Sequence, residues 1–483
     1  MLWLPYAEWT YLHRIDLRLL AFAVGGAYLI LKAIAPRRDR FDTPGPLLTP
    51  AAHPRLHALV DDVARATGQA PPAEVYLVPD VNAFVAERGG ALGIGSRRVM
   101  GVGLPLLELL TVEELRAVVA HEFGHYVGGD TRLGPWIYKT RAAIGRTMHE
   151  VSGHSRWLAK PFAWYGAGFL RVTHAVSRAQ EYVADATAAR IAGRDAARRA
   201  LVRLAGGAGA FGAYWSTELA PALGRGYRPP VAAGFRQFLA APEVVPQVAA
   251  MVDRELAESA TDPYDTHPSL RDRLAALDRL PSTAAAIATR PGDGAPATEL
   301  LADVDAVESA LLAGLARGAA LAPIAWDAVP ATVLPVGWRE LVAPTAAGLA
   351  GLTPERLPEV AGDLAALAVR LGIVRSPSQA QEEHRGRADA VVGAAVALAL
   401  LERVESGDAL RLEAPPGEPV RFVLGATGAT EIQPFAVRHR LAEGALGAEA
   451  WRAECEAAGI VGVDLGAVAT RAAALVPARP RVR

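Results

Sequence analysis

His121, Glu122 and His125 stand in the order H-E-x-x-H within the stretch Val118-Val119-Ala120-His121-Glu122-Phe123-Gly124-His125. Residues four apart lie one turn above each other on an α-helix, so the two imidazoles can face a single metal ion. Glu122 sits about 100° further round the helix, where its carboxylate can reach a metal-bound water without ligating the metal. Imidazole and carboxylate donors suit zinc, which in catalytic sites takes three protein ligands and keeps a fourth position for water. A core histidine pair beside an incidental carboxylate would show the same letters, but the helical context favours the metal.

That context starts at Thr111. With Glu114 three residues on it forms a T-x-x-E capping box, and Leu115, Val118, Val119 and Phe123 then recur at helical spacing. Upstream, Leu56 to Thr67 is periodic and stops at Gly68, a helix-terminating signal. Glu74 to Pro79 reads as a strand, and Ala91–Gly95 with Arg98–Val102, parted by Ser96-Arg97, as a hairpin. A small sheet thus precedes the histidine helix, as a protease needs if an edge strand is to pair with an extended substrate.

A third ligand is required, and Thr131 stands where the H-E-x-x-H-x-x-G-x-x-H pattern needs a histidine, which excludes that class. Downstream candidates are His149, Glu150, His154, His174 and Glu181. Glu181 alone has a carboxylate, Asp185, four residues on along one helix face, where it could orient a liganding imidazole. Two ordinary acids on a solvated face would look alike, so spacing leaves the choice open.

Five segments in order resemble the zinc metallopeptidase family that includes the CAAX prenyl endopeptidase and the HtpX-type membrane proteases. They are Asn82-Ala83-Phe84; Gly103-Leu104; Glu113, Glu114 and Leu115 leading into His121, Glu122, Gly124, His125 and Asp130; Ser177, Arg178, Glu181, Ala184 and Asp185; and Thr266-His267-Pro268-Ser269 with Arg273. The resemblance implies an α+β, mostly helical, zincin-like domain with one zinc held by His121, His125 and Glu181. It makes Glu122 the catalytic base and Asp185 the carboxylate behind a ligand. It sets His267 and Arg273 near the substrate backbone or oxyanion, and Asn82 on the strand facing a polypeptide substrate. The family's many membrane spans have no counterpart here, so neither a prenylated substrate nor an intramembrane chamber is implied.

The rest of the chain is organised around that domain. Lys+Arg 50 against Asp+Glu 51 gives a net charge near −1 and no basic field for nucleic acid. The lone Cys455 has no disulfide partner and reads as a buried, inert thiol. Residues 1–40 carry an uncharged run, 19–31, between Arg18 and Lys32, with Trp3, Tyr6, Trp9 and Tyr11 ahead of it. This predicts a membrane anchor. Arg37, Arg38 and Arg40 behind it favour a catalytic domain on the cytoplasmic side of a bacterial plasma membrane. The zinc metallopeptidase domain is expected over 41–281, a Pro/Gly/Ala linker over 282–298, and a helix-rich domain of unreadable function over 299–483. The expected activity is endopeptidase cleavage. The rivals are a catalytically idle zinc scaffold that recruits partners through 299–483, and a zinc hydrolase of non-peptide amides.

Overall fold

The computed structural model describes residues 43–88, 97–126, 176–257, 267–281, 286–316, 320–360, 362–373, 381–407, 410–425, 430–437 and 444–476, with isolated positions before residue 25. The fold is α+β and mostly helical. The first helix, α1 (Pro54–Thr67), buries Leu56, Leu59, Val60, Val63 and Ala64 along one stripe. It ends where Gly68 takes a φ of 69°, so that the Gly68 and Gln69 N–H groups reach the Arg65 and Ala64 carbonyls. Three strands follow: β1 (Glu74–Val78), β2 (Ala83–Arg88) and β3 (Arg97–Gly103), in the spatial order β1-β3-β2.

β3 is central, parallel to β1 and antiparallel to β2. The outer side of β1 is covered by residues 46–48, through Leu48 N–H to Val75 and Leu77 N–H to Pro46. β2 is paired only with β3 among the described residues, which makes it the edge strand. The antiparallel partner of the third strand is therefore Ala83–Arg88, and the expected arm at 91–95 lies outside the described residues. Gly101 is required here, since a Cβ on it would stand 2.3 Å from the Phe84 ring that lies over β3.

Helix α2 (Leu104–Leu109) is wholly buried, and α3 (Val112–Gly124) then carries the H-E-x-x-H residues. The Thr111–Glu114 capping box forms in both directions. It satisfies only part of the helix start. The Val112 and Glu113 N–H groups are taken by the Ala295 and Asp293 carbonyls, and Arg116 forms a buried bidentate pair with Asp293 at 2.7 and 3.0 Å. Residues 286–298, inside the stretch composed like a linker, are thus packed against the helix that carries His121 and His125, with Ile287 and Ala297 buried.

Further on, α4 (residues 176–192), α5 (Arg194–Tyr214) and α6 (Leu270–Asp278) complete the surroundings of the site. The chain divides into two units, each discontinuous: residues 1–209 with 248–314, and 210–247 with 315–483. The second unit is built on α7 (Gln381–Glu405), whose Ala394–Leu401 segment is buried on every side. Trp338, Leu349, Trp451 and Leu465 surround it, and an antiparallel meander β4 (Leu410–Glu413), β5 (Arg421–Leu424), β6 (Thr430–Ile432) flanks it. Cys455 is fully buried in this core, and burial pushes its thiol up to about 12. Among the described residues no helix is long and apolar enough to cross a membrane. The run at 19–31 lies almost wholly outside them.

Candidate metal centre

α3 and α4 approach until their backbones nearly touch. A Cβ on Gly124 would stand 2.7 Å from the Ala184 Cα, so glycine in H-E-F-G-H and alanine in E-x-x-A-D are what let the helices close. The approach brings Glu181 beside both imidazoles. Glu181 Oε2 is 3.5 Å from His121 Nε2, and Glu181 Oε1 is 3.9 Å from His125 Nε2. The two rings stand edge to face at 88°, with centroids 4.8 Å apart. All three donor atoms lie within 4.8 Å of one another, and they form the one such group among the described residues. Tetrahedral zinc with bonds near 2.1 Å separates its ligands by about 3.4 Å, so small side-chain rotations close this set on an ion. Of the downstream candidates, His149, Glu150, His154 and His174 lie outside the described residues.

The outer groups hold the inner ones. His121 Nδ1 donates to Asp185 Oδ1 at 3.0 Å, leaving Nε2 as the lone-pair nitrogen turned towards Glu181. Asp185 in turn accepts from Arg273 Nε at 2.9 Å and Nη2 at 2.6 Å. Although burial alone would raise it, these hydrogen bonds hold the Asp185 carboxyl down to about 2. Glu181 is likewise kept below its ordinary value against the pull of burial, by the His267 hydrogen bond and by the His121 and Arg273 charges. Burial, helped by His121, lowers His125 to about 4, so this ring is neutral and metal-ready near pH 7. Burial pushes Glu122 the other way, up to about 7, opposed by His121 and by a hydrogen bond from the Val85 N–H.

His267 is the exposed member of the group, its side chain 63% accessible, with Nδ1 at 3.0 Å from Glu181 Oε1. Ser269 caps α6 by accepting from the Asp272 N–H, and thereby aims Arg273 inward from the next turn. The resemblance set Arg273 at the oxyanion; its Nε and Nη2 are instead committed to Asp185, although the residue also lines the cavity. Asn82 lines the cavity too, but stands just before β2 rather than on it. The cavity measures about 220 Å³, and its walls away from the ligands are apolar, with Leu106, Val118, Leu201 and Leu204 among them. The sequence offered Gly124 and Ala184 only as letters of the shared segments, with no role. Their smallness is visible in the letters, but its purpose appears only where the helices cross.

Two imidazoles and a carboxylate thus meet on two closely crossing helices, beside a raised glutamate and an edge strand, in a group that could hold a metal ion. Residues 50–280, just under half of the chain, match the model of peptidase family M48. Among similar curated proteins is a protease HtpX homolog of Pyrococcus abyssi, 33% identical over 167 residues, which are 29% of this chain and 52% of that protein. A protease HtpX homolog of Acidiphilium cryptum is 34% identical over 170 residues, 32% of this chain and 57% of its own. A protease HtpX of Acinetobacter baumannii is 26% identical over 227 residues, 42% of this chain and 66% of its own. The chain thus spans between about half and two thirds of the length of the relatives it matches. No solved structure matches it.

Proposed function

We propose that the chain is a zinc-dependent metalloendopeptidase of zincin-like architecture, with one ion held by His121, His125 and Glu181. The observation that carries this reading is the relay Arg273–Asp185–His121, which turns the His121 Nε2 lone pair towards the Glu181 carboxylate and the His125 ring. Such outer partners serve a ligand set and have no purpose behind a core histidine pair. Zinc bound there would supply an acidified water with a pKa near 7 and a charge to polarise the scissile carbonyl.

The chain's own groups do the rest. Glu122, with a carboxyl near 7, takes a proton from the attacking water and returns it to the leaving amine. His267, exposed at the cavity and tethered to Glu181, is positioned to donate to the developing oxyanion. Arg273 keeps Asp185 in place, and Asn82 at the start of the edge strand meets the substrate backbone. The apolar cavity walls select an aliphatic side chain next to the cleaved bond. Residues 1–40 would anchor the protein in a membrane with the catalytic unit on the cytoplasmic side, a reading supported by the run at 19–31 and the arginines after it.

Glu122→Gln tests the assignment. It should retain zinc and lower kcat on a peptide library by at least about 10²-fold, the usual contribution of a general base. Cleavage at the parental rate by the zinc-loaded variant would remove Glu122 from the mechanism. Fractionation of the full chain against a form lacking residues 1–40 tests the anchor.

A further inference from the structure

Edge-strand residues turn their backbone N–H and C=O groups alternately towards the neighbour and away from it. On β2 the Asn82 carbonyl accepts from Gly103 of β3, so Ala83, Val85 and Glu87 face outward. The outward carbonyl of Val85 is already taken: it accepts from the Tyr126 hydroxyl at 2.8 Å. Tyr126 stands two residues past the end of α3, just beyond its C-cap His125.

Tyr126 is held on its far side as well. The Arg98 guanidinium lies over its ring, 4.5 Å from the centroid. Gln69 Nε2 donates to the Tyr126 main-chain carbonyl at 3.3 Å, and Arg98 donates to Gln69 Oε1 at 3.5 Å and to the Ala70 carbonyl at 3.0 Å. Asn82 and Ala83 line the cavity together with His121 and Glu122, so the edge at 82–85 is where an extended peptide would lie.

On the peptidase reading above, we infer that Tyr126 is a substrate-displaced latch which makes the enzyme discriminate by peptide length. A strand added to β2 exchanges two hydrogen bonds with Val85, and its N–H can take the Val85 carbonyl only when Tyr126 has let go. Tyr126 has no part in the chemistry, and its release is charged to substrate binding alone. A peptide too short to reach past Ala83 never meets it. Tyr126 is thus a residue that sets KM for long substrates and leaves kcat untouched.

Tyr126→Phe removes the hydroxyl and keeps the ring under Arg98. With the zinc-loaded full chain, KM for a quenched-fluorescent decapeptide should fall about two- to tenfold, the worth of one net hydrogen bond. kcat should stay within about twofold, and KM for a blocked tripeptide around the same cleaved bond should not move. Calorimetric binding of the decapeptide to the zinc-free protein should tighten by the same factor. Arg98→Met, which loosens the ring without touching the hydroxyl, should give the same change in weaker form. An unchanged or raised decapeptide KM, an equal shift for both peptides, or a fall in kcat would overturn the latch. A parent protein with no zinc-dependent cleavage would instead remove the peptidase reading, and the latch with it.

Discussion

Glu122 shows how a residue's environment can be tested apart from its catalysis. Its carboxyl is pushed up to about 7 by burial, against about 4.3 in an unfolded chain. Between those values the folded state holds the proton longer than the unfolded one, so stability falls as pH rises through the window. The deficit is complete above about 7 and absent below about 4. Glutamine has the neutral form's shape without the charge. In zinc-free protein at pH 8, Glu122→Gln should therefore unfold later than the parent, by about 3–4 kcal/mol. The gap should close by pH 4.5. Thermal melts in chelator at both pH values read this directly, and equal melting at pH 8 would mean that the carboxylate is well solvated. At this scale the sequence was informative. Two imidazoles and a base in one helical turn could be read from spacing, whereas Asp185 made Glu181 a candidate third ligand without deciding the choice. The targets of Arg273 and His267 could not be read, because spacing along one helix says nothing of which neighbour's oxygen a long side chain will meet. Tyr126 was invisible for the same reason, its partner Val85 lying on a strand 41 positions away.

Helices and strands were legible where their signals are local. The capping box at Thr111 and the glycine stop at Gly68 both form where the residues said they would. What escaped were features made by two distant segments. The start of α3 is finished by carbonyls from 293 and 295, and Gly124 exists for the sake of Ala184. Gly124→Ala places a methyl 2.7 Å from the Ala184 Cα and 3.2 Å from the Ala184 and Thr187 Cβ atoms. Backbone cannot swing aside as a side chain can, so α4 must retreat and take Glu181 and Asp185 with it. Zinc affinity should fall about tenfold or more, in the range seen when partners of metal ligands are lost, with about 1–3 kcal/mol of overpacking strain. Gly212→Ala is the control. That glycine also lies in a helix, α5, but nothing stands within 4 Å of the added carbon. It should leave zinc affinity unchanged and slightly stabilise the helix. Competition with a chromophoric chelator measures both, and equal affinity of Gly124→Ala with the parent would show that the crossing is looser than drawn.

At the scale of the whole chain, composition misleads about where one unit ends. Residues 282–298 contain the Pro, Gly and Ala of a spacer, yet Asp293 receives the buried Arg116 guanidinium and Ala295 and Asp293 finish α3. A segment whose carbonyls satisfy another helix's N–H groups cannot lift away without exposing them, so it behaves as core and not as tether. The family match stops at 280, whereas the unit that holds the metal centre continues to 314. Residues 210–247, although inside the family match, belong to the other unit. There the Tyr214 and Phe235 rings meet tilted, with centroids 5.5 Å apart, and the Trp326 indole donates to the Pro230 carbonyl at 2.8 Å. Protease sensitivity follows unfolding and not composition. Limited proteolysis of the native full chain should therefore accumulate no fragment ending between 286 and 298, despite Arg290 within it as a trypsin site. Arg116→Met removes the buried partner of Asp293 and should open that site, with cleavage after Arg290 rising as α3 loses its cap. Mass spectrometry of the early fragments decides the matter. Rapid cutting after Arg290 in the parent would return the segment to the role its composition suggests, and would detach the helix cap from the fold described.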